Sequence, residues 1–144
     1  MATTQPALGV LNRALTSVSV INFPNLNVTT GFFGTKVARI SFEVETSDYI
    51  PVLAGNVPSP RLTQIITCMM YLNKSQSLAA AWEAQRLTSA IIGDVVVVTD
   101  SAVMPTYYMA NATLQNIADL DLTGDSNDFP VMLKGTYYIN NSIY

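Results

Sequence analysis

The stretch Lys36 to Thr46 reads KVARISFEVET, and its side chains alternate without a break. Ala38, Ile40, Phe42 and Val44 fall on one face, and Arg39, Ser41, Glu43 and Glu45 on the other. Successive side chains of a strand point to opposite sides of the sheet, so this period of two predicts a strand that buries one face and wets the other. The next segment, Ser47 to Pro60 (SDYIPVLAGNVPSP), carries Pro51, Pro58, Pro60 and Gly55. It reads as a long loop stiffened by Pro51 and Pro58, and loops of that length usually carry function. Arg61 to Leu72 (RLTQIITCMMYL) is partly β-branched and aromatic and predicts a second long strand returning beside the first. Both of its faces are largely apolar, which implies burial on both sides or one side meeting another subunit.

Further along, Ser75 to Ser89 (SQSLAAAWEAQRLTS) is the one clear helix. Ser75 or Ser77 is the expected N-cap, and Leu78, Ala81, Trp82 and Leu87 form the expected apolar side. Asp94 to Thr99, Tyr107 to Ile117 and Val131 to Ile139 read as three further strands, with Ala118 to Pro130 as a hairpin loop between the last two. Thr16 to Ile21 alternates as well and predicts an opening strand, ended by Pro24. No composition shift or repeat divides the chain, so residues 1–144 are expected to form a single, mainly β domain of about six strands with one flanking helix.

Only 12% of the 144 residues are charged, 49% are apolar, and the mean hydropathy is +0.29. An average soluble domain carries about 25% charge, so this chain is short of groups to cover a monomer's surface. Such surface is normally destined for a partner or a membrane. The N-terminal MATTQPALGV lacks the positive start and apolar block of a signal peptide, and no apolar run approaches the ~18 residues of a membrane helix. Synthesis in the cytoplasm and the lack of a membrane anchor are the corresponding expectations.

Chemistry is thinly represented. There is no histidine, which removes the commonest general base and metal ligand, and the single Cys68 excludes an internal disulfide. Asp119, Asp121, Asp125 and Asp128 surround Gly124 and open like a calcium loop. The twelfth position, which needs a bidentate Glu, is Pro130; a solvated hairpin tip is the plainer reading. Glu43 and Glu45 lie two apart on one strand face with no apolar pocket to separate their pKa values, so they read as solvated rather than catalytic. Gly31 to Lys36 (GFFGTK) lacks phosphate-loop spacing and reads as a turn, and Cys68 reads as an inert buried thiol. Four Asn-x-Ser/Thr triplets begin at Asn27, Asn73, Asn111 and Asn140 and carry no meaning without secretion. The net charge is −3, and no Lys or Arg falls between Arg86 and Lys134, against six acids. Tight phosphate binding is therefore disfavoured. No catalytic residue, cofactor site or metal site is assigned.

An ordered series of segments carries a family resemblance: SQSLAAAWEAQ (Ser75 to Gln85), IGDVVVV (Ile92 to Val98), PTYYMANATLQNI (Pro105 to Ile117) and GDSNDFPVMLKGTYYIN (Gly124 to Asn140). Together with the small size, their order and spacing resemble the tail-tube subunits of contractile-tailed bacteriophages. The likeness covers the C-terminal half, and the strand-loop-strand region only in pattern.

That resemblance implies a β-sandwich or barrel-like subunit with one flanking α-helix and a long strand-loop-strand element. It also implies rings of six, stacked into a hollow virion tube through which DNA is delivered. The implied partners are further copies of the chain, with tail sheath, baseplate and tail-terminator proteins. On this reading Arg39, Ser41, Glu43 and Glu45 line the lumen. Glu43 and Glu45 would make it negative, with Arg39 paired to a carboxylate. Tyr49, Ile50, Val52, Leu53, Asn56 and Val57 of the proline-braced segment would contact neighbouring subunits and rings. Glu83 and Arg86 on the outer side of the helix would face the sheath. A tube subunit of a type VI secretion system or a phage-like bacteriocin has the same physics. A small outer-membrane β-barrel ending in Tyr144 lacks its signal peptide, and a small enzyme lacks a convergent acid, base and nucleophile.

Overall fold

A computed structural model of the chain describes residues 8–115 and 120–143. Its strands are β1 (Ser17–Val20), β2 (Phe33–Phe42), β3 (Ser47–Val52), β4 (Gly55–Pro60), β5 (Thr63–Asn73), β6 (Ile91–Val98), β7 (Tyr107–Leu114) and β8 (Asp128–Tyr138), and its helix is α1 (Ser77–Thr88). Among the described residues, six strands form one sheet in the order β1-β6-β7-β8-β5-β2, with every neighbouring pair antiparallel, while β3 and β4 pair only with each other. The chain is thus mainly β with one helix, as the alternation and turn signals predict.

The register separates two faces. Ala38, Ile40 and Phe42 of β2 lie opposite Met70, Cys68 and Ile66 of β5, which in turn lie opposite Val131, Leu133 and Gly135 of β8. This face holds the core: Ile66, Cys68, Met70, Leu72, Val131 and Leu133 are all fully buried, joined by Val95, Val97 and Met109 from β6 and β7. The sheet curls around it. Phe42 and Tyr107 sit on strands three spacings apart in the sheet, about 14 Å if flat, yet their ring centroids are 5.9 Å apart, and Tyr137 stands 5.4 Å from Tyr107. Only a sheet rolled toward its core face brings those rings together, and the result is a half-barrel.

Gly135 marks the tightest point of that packing. A Cβ there would stand 2.9 Å from Met109 Cβ, an atom fixed by its own backbone. Pro130 sits inside β8 opposite Tyr71, where a missing N–H would ordinarily break a ladder. It is accommodated because the named β7 pairing ends at Leu114–Leu133, which leaves β8 without that neighbour at Pro130.

Five expectations are corrected. The alternating strand starts at Phe33, inside the expected turn, and stops at Phe42, so Glu43, Val44 and Glu45 lie beyond it. The expected loop from Ser47 to Pro60 is a hairpin. The helix is capped by Gln76, with no side-chain cap bond, because Asn73 Oδ1 accepts from the N–H and the hydroxyl of Ser75 and holds that residue in a turn. Its buried side is Leu78, Ala79 and Trp82, with Ala81 half-buried, whereas Leu87 is 73% exposed because the core ends a turn earlier. The strand from Tyr107 ends at Leu114; Ile117 and Asp119 lie outside the described residues. Among the described residues, no helix is long and apolar enough to cross a membrane.

Candidate assembly surfaces

No described element covers the second face of the half-barrel. β2 contributes Arg39 and Ser41 to it, β5 contributes Ile65, Thr67, Met69 and Tyr71, and β8 contributes Met132, Lys134, Thr136 and Tyr138, all aligned by register. The sequence left open which side of β5 joins Arg39 and Ser41, and the pairing of Arg39 with Met69 and of Ser41 with Thr67 answers it. Glu43, though past the end of β2, turns to the same face. Its Oε1 lies 2.9 Å from Lys134 Nζ and accepts from Thr67 Oγ1 at 2.8 Å. Those hydrogen bonds, from Lys134 first and Thr67 second, hold the Glu43 carboxyl below its usual range. So Glu43 is neutralised by a cation on the same face, and Arg39 makes no ion pair among the described residues. The expected negative patch is replaced by hydroxyls, thioethers and a self-compensated pair; Glu45 stands exposed in the link beyond the strand.

That link is the root of the hairpin, and polar groups pin it. Gln64, one of two buried polar residues among those described, donates to the Val44 carbonyl, and Glu43 N donates to Ile65 O at 3.1 Å. Asn140, whose positive φ of 53° suits asparagine better than most residues, donates through Nδ2 to the carbonyls of both Thr46 and Arg61. Arg61 also meets Asp48 at 2.9 Å; this pair is about half exposed and adds register more than stability.

Beyond the root the hairpin stands free, since β3 and β4 are in substantial contact only with each other. Each strand is six residues long, a reach of about 20 Å. Tyr49, Ile50, Val52, Leu53 and Val57 are exposed apolar side chains along it, and Leu53 at the turn is 110% exposed. Gly55 closes the turn at φ 144°, a backbone region that suits glycine. The three prolines fall in alternate pairs: Ser47–Pro60, Tyr49–Pro58 and Pro51–Asn56. A proline has no N–H to give its partner, so the ladder bonds belong to the pairs between them, and the missing donors lie on the outer edges. This explains why a proline-rich segment is still a strand pair. It also blunts both edges against pairing with another strand.

Where β2 fails to close onto β1 and β6, a cleft of about 420 Å³ opens, lined chiefly by Val37, Ala38 and Ile40 of β2, Val97 and Val98 of β6 and Tyr107, with Arg13, Thr16 and Asp100 at its rim. Among the described residues the outer edge of β2 has no strand partner, whereas β1 is partly covered by a bridge from Val18 to Val28.

Comparison with models of known protein families finds no match, and none is found among curated proteins. Among solved structures, a chain from the tail of an empty gene transfer agent particle with C6 symmetry superposes with a TM-score of 0.52. The match covers 85% of this chain and 90% of that one at 11% sequence identity. The likeness is one of fold.

The helix presents Glu83 and Arg86 away from the core, Arg86 Nε donating to Glu83 Oε2 at 3.1 Å. Each holds the other in its charged form, the acid lowered and the base raised. Because α1 packs Trp82 and Leu78 into the core, this pair and the uncovered face lie on opposite sides of the sheet. Burial pushes the Cys68 thiol up to about 12, which makes it inert. No three potential ligands converge on a metal site among the described residues. Reading the sequence missed Lys134, Thr67 and Asn140. A Thr in the middle of an apolar strand and an Asn just past a strand end were the available signals.

Proposed function

We propose that this chain is the tube subunit of a phage-like contractile tail. Copies assemble six to a ring, and rings stack into a hollow tube that carries DNA from the virion. The observation that carries this reading is the likeness of fold, over 85% of the chain, to a chain in a tail of C6 symmetry. The sequence resemblance over the C-terminal half points the same way.

The surfaces suit that role. On this reading the uncovered face lines the lumen, with Arg39, Ser41, Glu43 and Glu45 joined by Thr67, Lys134 and Thr136. Its charges are few and largely compensated, so a DNA backbone meets no strong counter-charge that would arrest it. The unpartnered edge of β2 meets a neighbour within the ring, which removes the exposed edge. The hairpin residues Tyr49, Ile50, Val52, Leu53, Asn56 and Val57 contact other subunits, and Glu83 and Arg86 face outward to the sheath.

Negative-stain microscopy of the purified protein tests the reading. Rings or hollow rods with six-fold end views are expected. A species that stays monomeric at millimolar concentration would overturn it.

A further inference from the structure

We infer that the tip of the hairpin docks into the half-barrel cleft of a second copy, Leu53 leading, and that it does so through side chains rather than by strand addition. The inference rests on the tube reading and names the receptor for its arm.

Three observations carry it. First, the tip and the cleft are complementary in chemistry. From Tyr49 to Pro60 the hairpin has no charged side chain, and Leu53, Val52 and Val57 are exposed on it. The cleft wall is Val37, Ala38, Ile40, Val97 and Tyr107, and its volume of about 420 Å³ accommodates a few aliphatic side chains.

Second, the polar groups match. At Pro51, Pro58 and Pro60 the outward backbone positions keep a carbonyl and lack an N–H, so these positions offer only acceptors. Around the cleft, Arg13 and, from the uncovered face, Arg39 offer guanidinium donors with no ion pair among the described residues, beside the Asp100 carboxylate.

Third, the arm does not fill its own cleft. It extends about 20 Å from its root and is in substantial contact with no other named element, so the occupant comes from another molecule. Tip and cleft are different patches, so each copy carries one of each, and the contact propagates head-to-tail into a ring or a filament.

The proposal is tested with Leu53→Cys/Thr16→Cys, the first position at the tip and the second at the rim. Cys68 is left in place because its buried thiol does not compete. Under mild oxidation of assembled protein a ladder of covalent oligomers is expected on non-reducing gels. The same treatment of Leu53→Cys/Glu83→Cys is expected to give none. Leu53→Asp is expected to abolish sedimentable polymer while its circular dichroism and melting temperature match the parent, and Leu53→Met is expected to restore polymer.

If Leu53→Asp abolishes polymer but the cysteine pair stays reduced, the arm is needed and the cleft is not its receptor. The inference then falls while the tube reading stands. An intramolecular disulfide in monomer also overturns it. If the parent protein never polymerises, the tube reading fails first.

Discussion

Glu43 sits where the sequence sees only the end of an alternation, and its partner Lys134 comes from the far end of the chain, brought in by the β5–β8 pairing. Its folded pKa is depressed, so the pair is intact above the ordinary carboxylate value and is lost as pH falls through the lower, folded value. A side-chain NMR titration is therefore expected to place Glu43 below a free glutamate, and Lys134→Met to move it back up; an unmoved midpoint would disprove the pairing. Gly135 gives a prediction in the core. Alanine there drives Cβ to 2.9 Å from Met109 Cβ, and overpacking of this kind costs about 1–3 kcal/mol. Denaturant unfolding of Gly135→Ala should show a lower midpoint with an unchanged slope.

At the scale of elements, the hairpin contributes little to the fold because it buries little against the rest of the chain. Deleting Val52 to Val57 is expected to leave the melting temperature of the body within a few degrees of the parent and to abolish polymer in sedimentation. Normal tubes after that deletion would remove the arm from the assembly. The root behaves differently. Asn140→Ala strips two hydrogen bonds from the link, at about 0.5–1.5 kcal/mol each, and hydrogen exchange at the Arg61 amide should accelerate while the β5–β8 amides stay protected. The helix works the opposite way from the hairpin: it holds its place through Trp82 and Leu78, so Trp82→Ala should cost the body about 3–5 kcal/mol. The segment was legible in the sequence as a distinct proline-rich stretch but not as strands. Its prolines break strand propensity one residue at a time, and only the pairing shows that all three occupy alternate positions.

For the whole molecule, the scarcity of charge has a physical destination in the uncovered face, the free edge of β2, the apolar hairpin and the cleft. Contacts built on such surfaces draw on apolar burial, which salt does not screen. Polymer measured by sedimentation is accordingly expected to persist at about 1 M salt, where the Debye length has shrunk to about 3 Å. Dissolution of the polymer at that salt would show that charge pairs, not apolar contacts, hold the copies together.

By itself the sequence determined the class of the fold, the existence of the six sheet strands and the helix, the two faces of β2, and the lack of histidine and disulfide chemistry. These depend on local alternation, turn residues and counts, all of which are written along the chain. Only the tertiary structure decided the curl of the sheet, which partner neutralises Glu43, which side of β5 joins the uncovered face, and that the proline-rich segment stands out as a hairpin. The first three depend on residues far apart in sequence meeting in one register, which packing fixes rather than any single stretch, and the hairpin depends on a local pairing that its prolines hide.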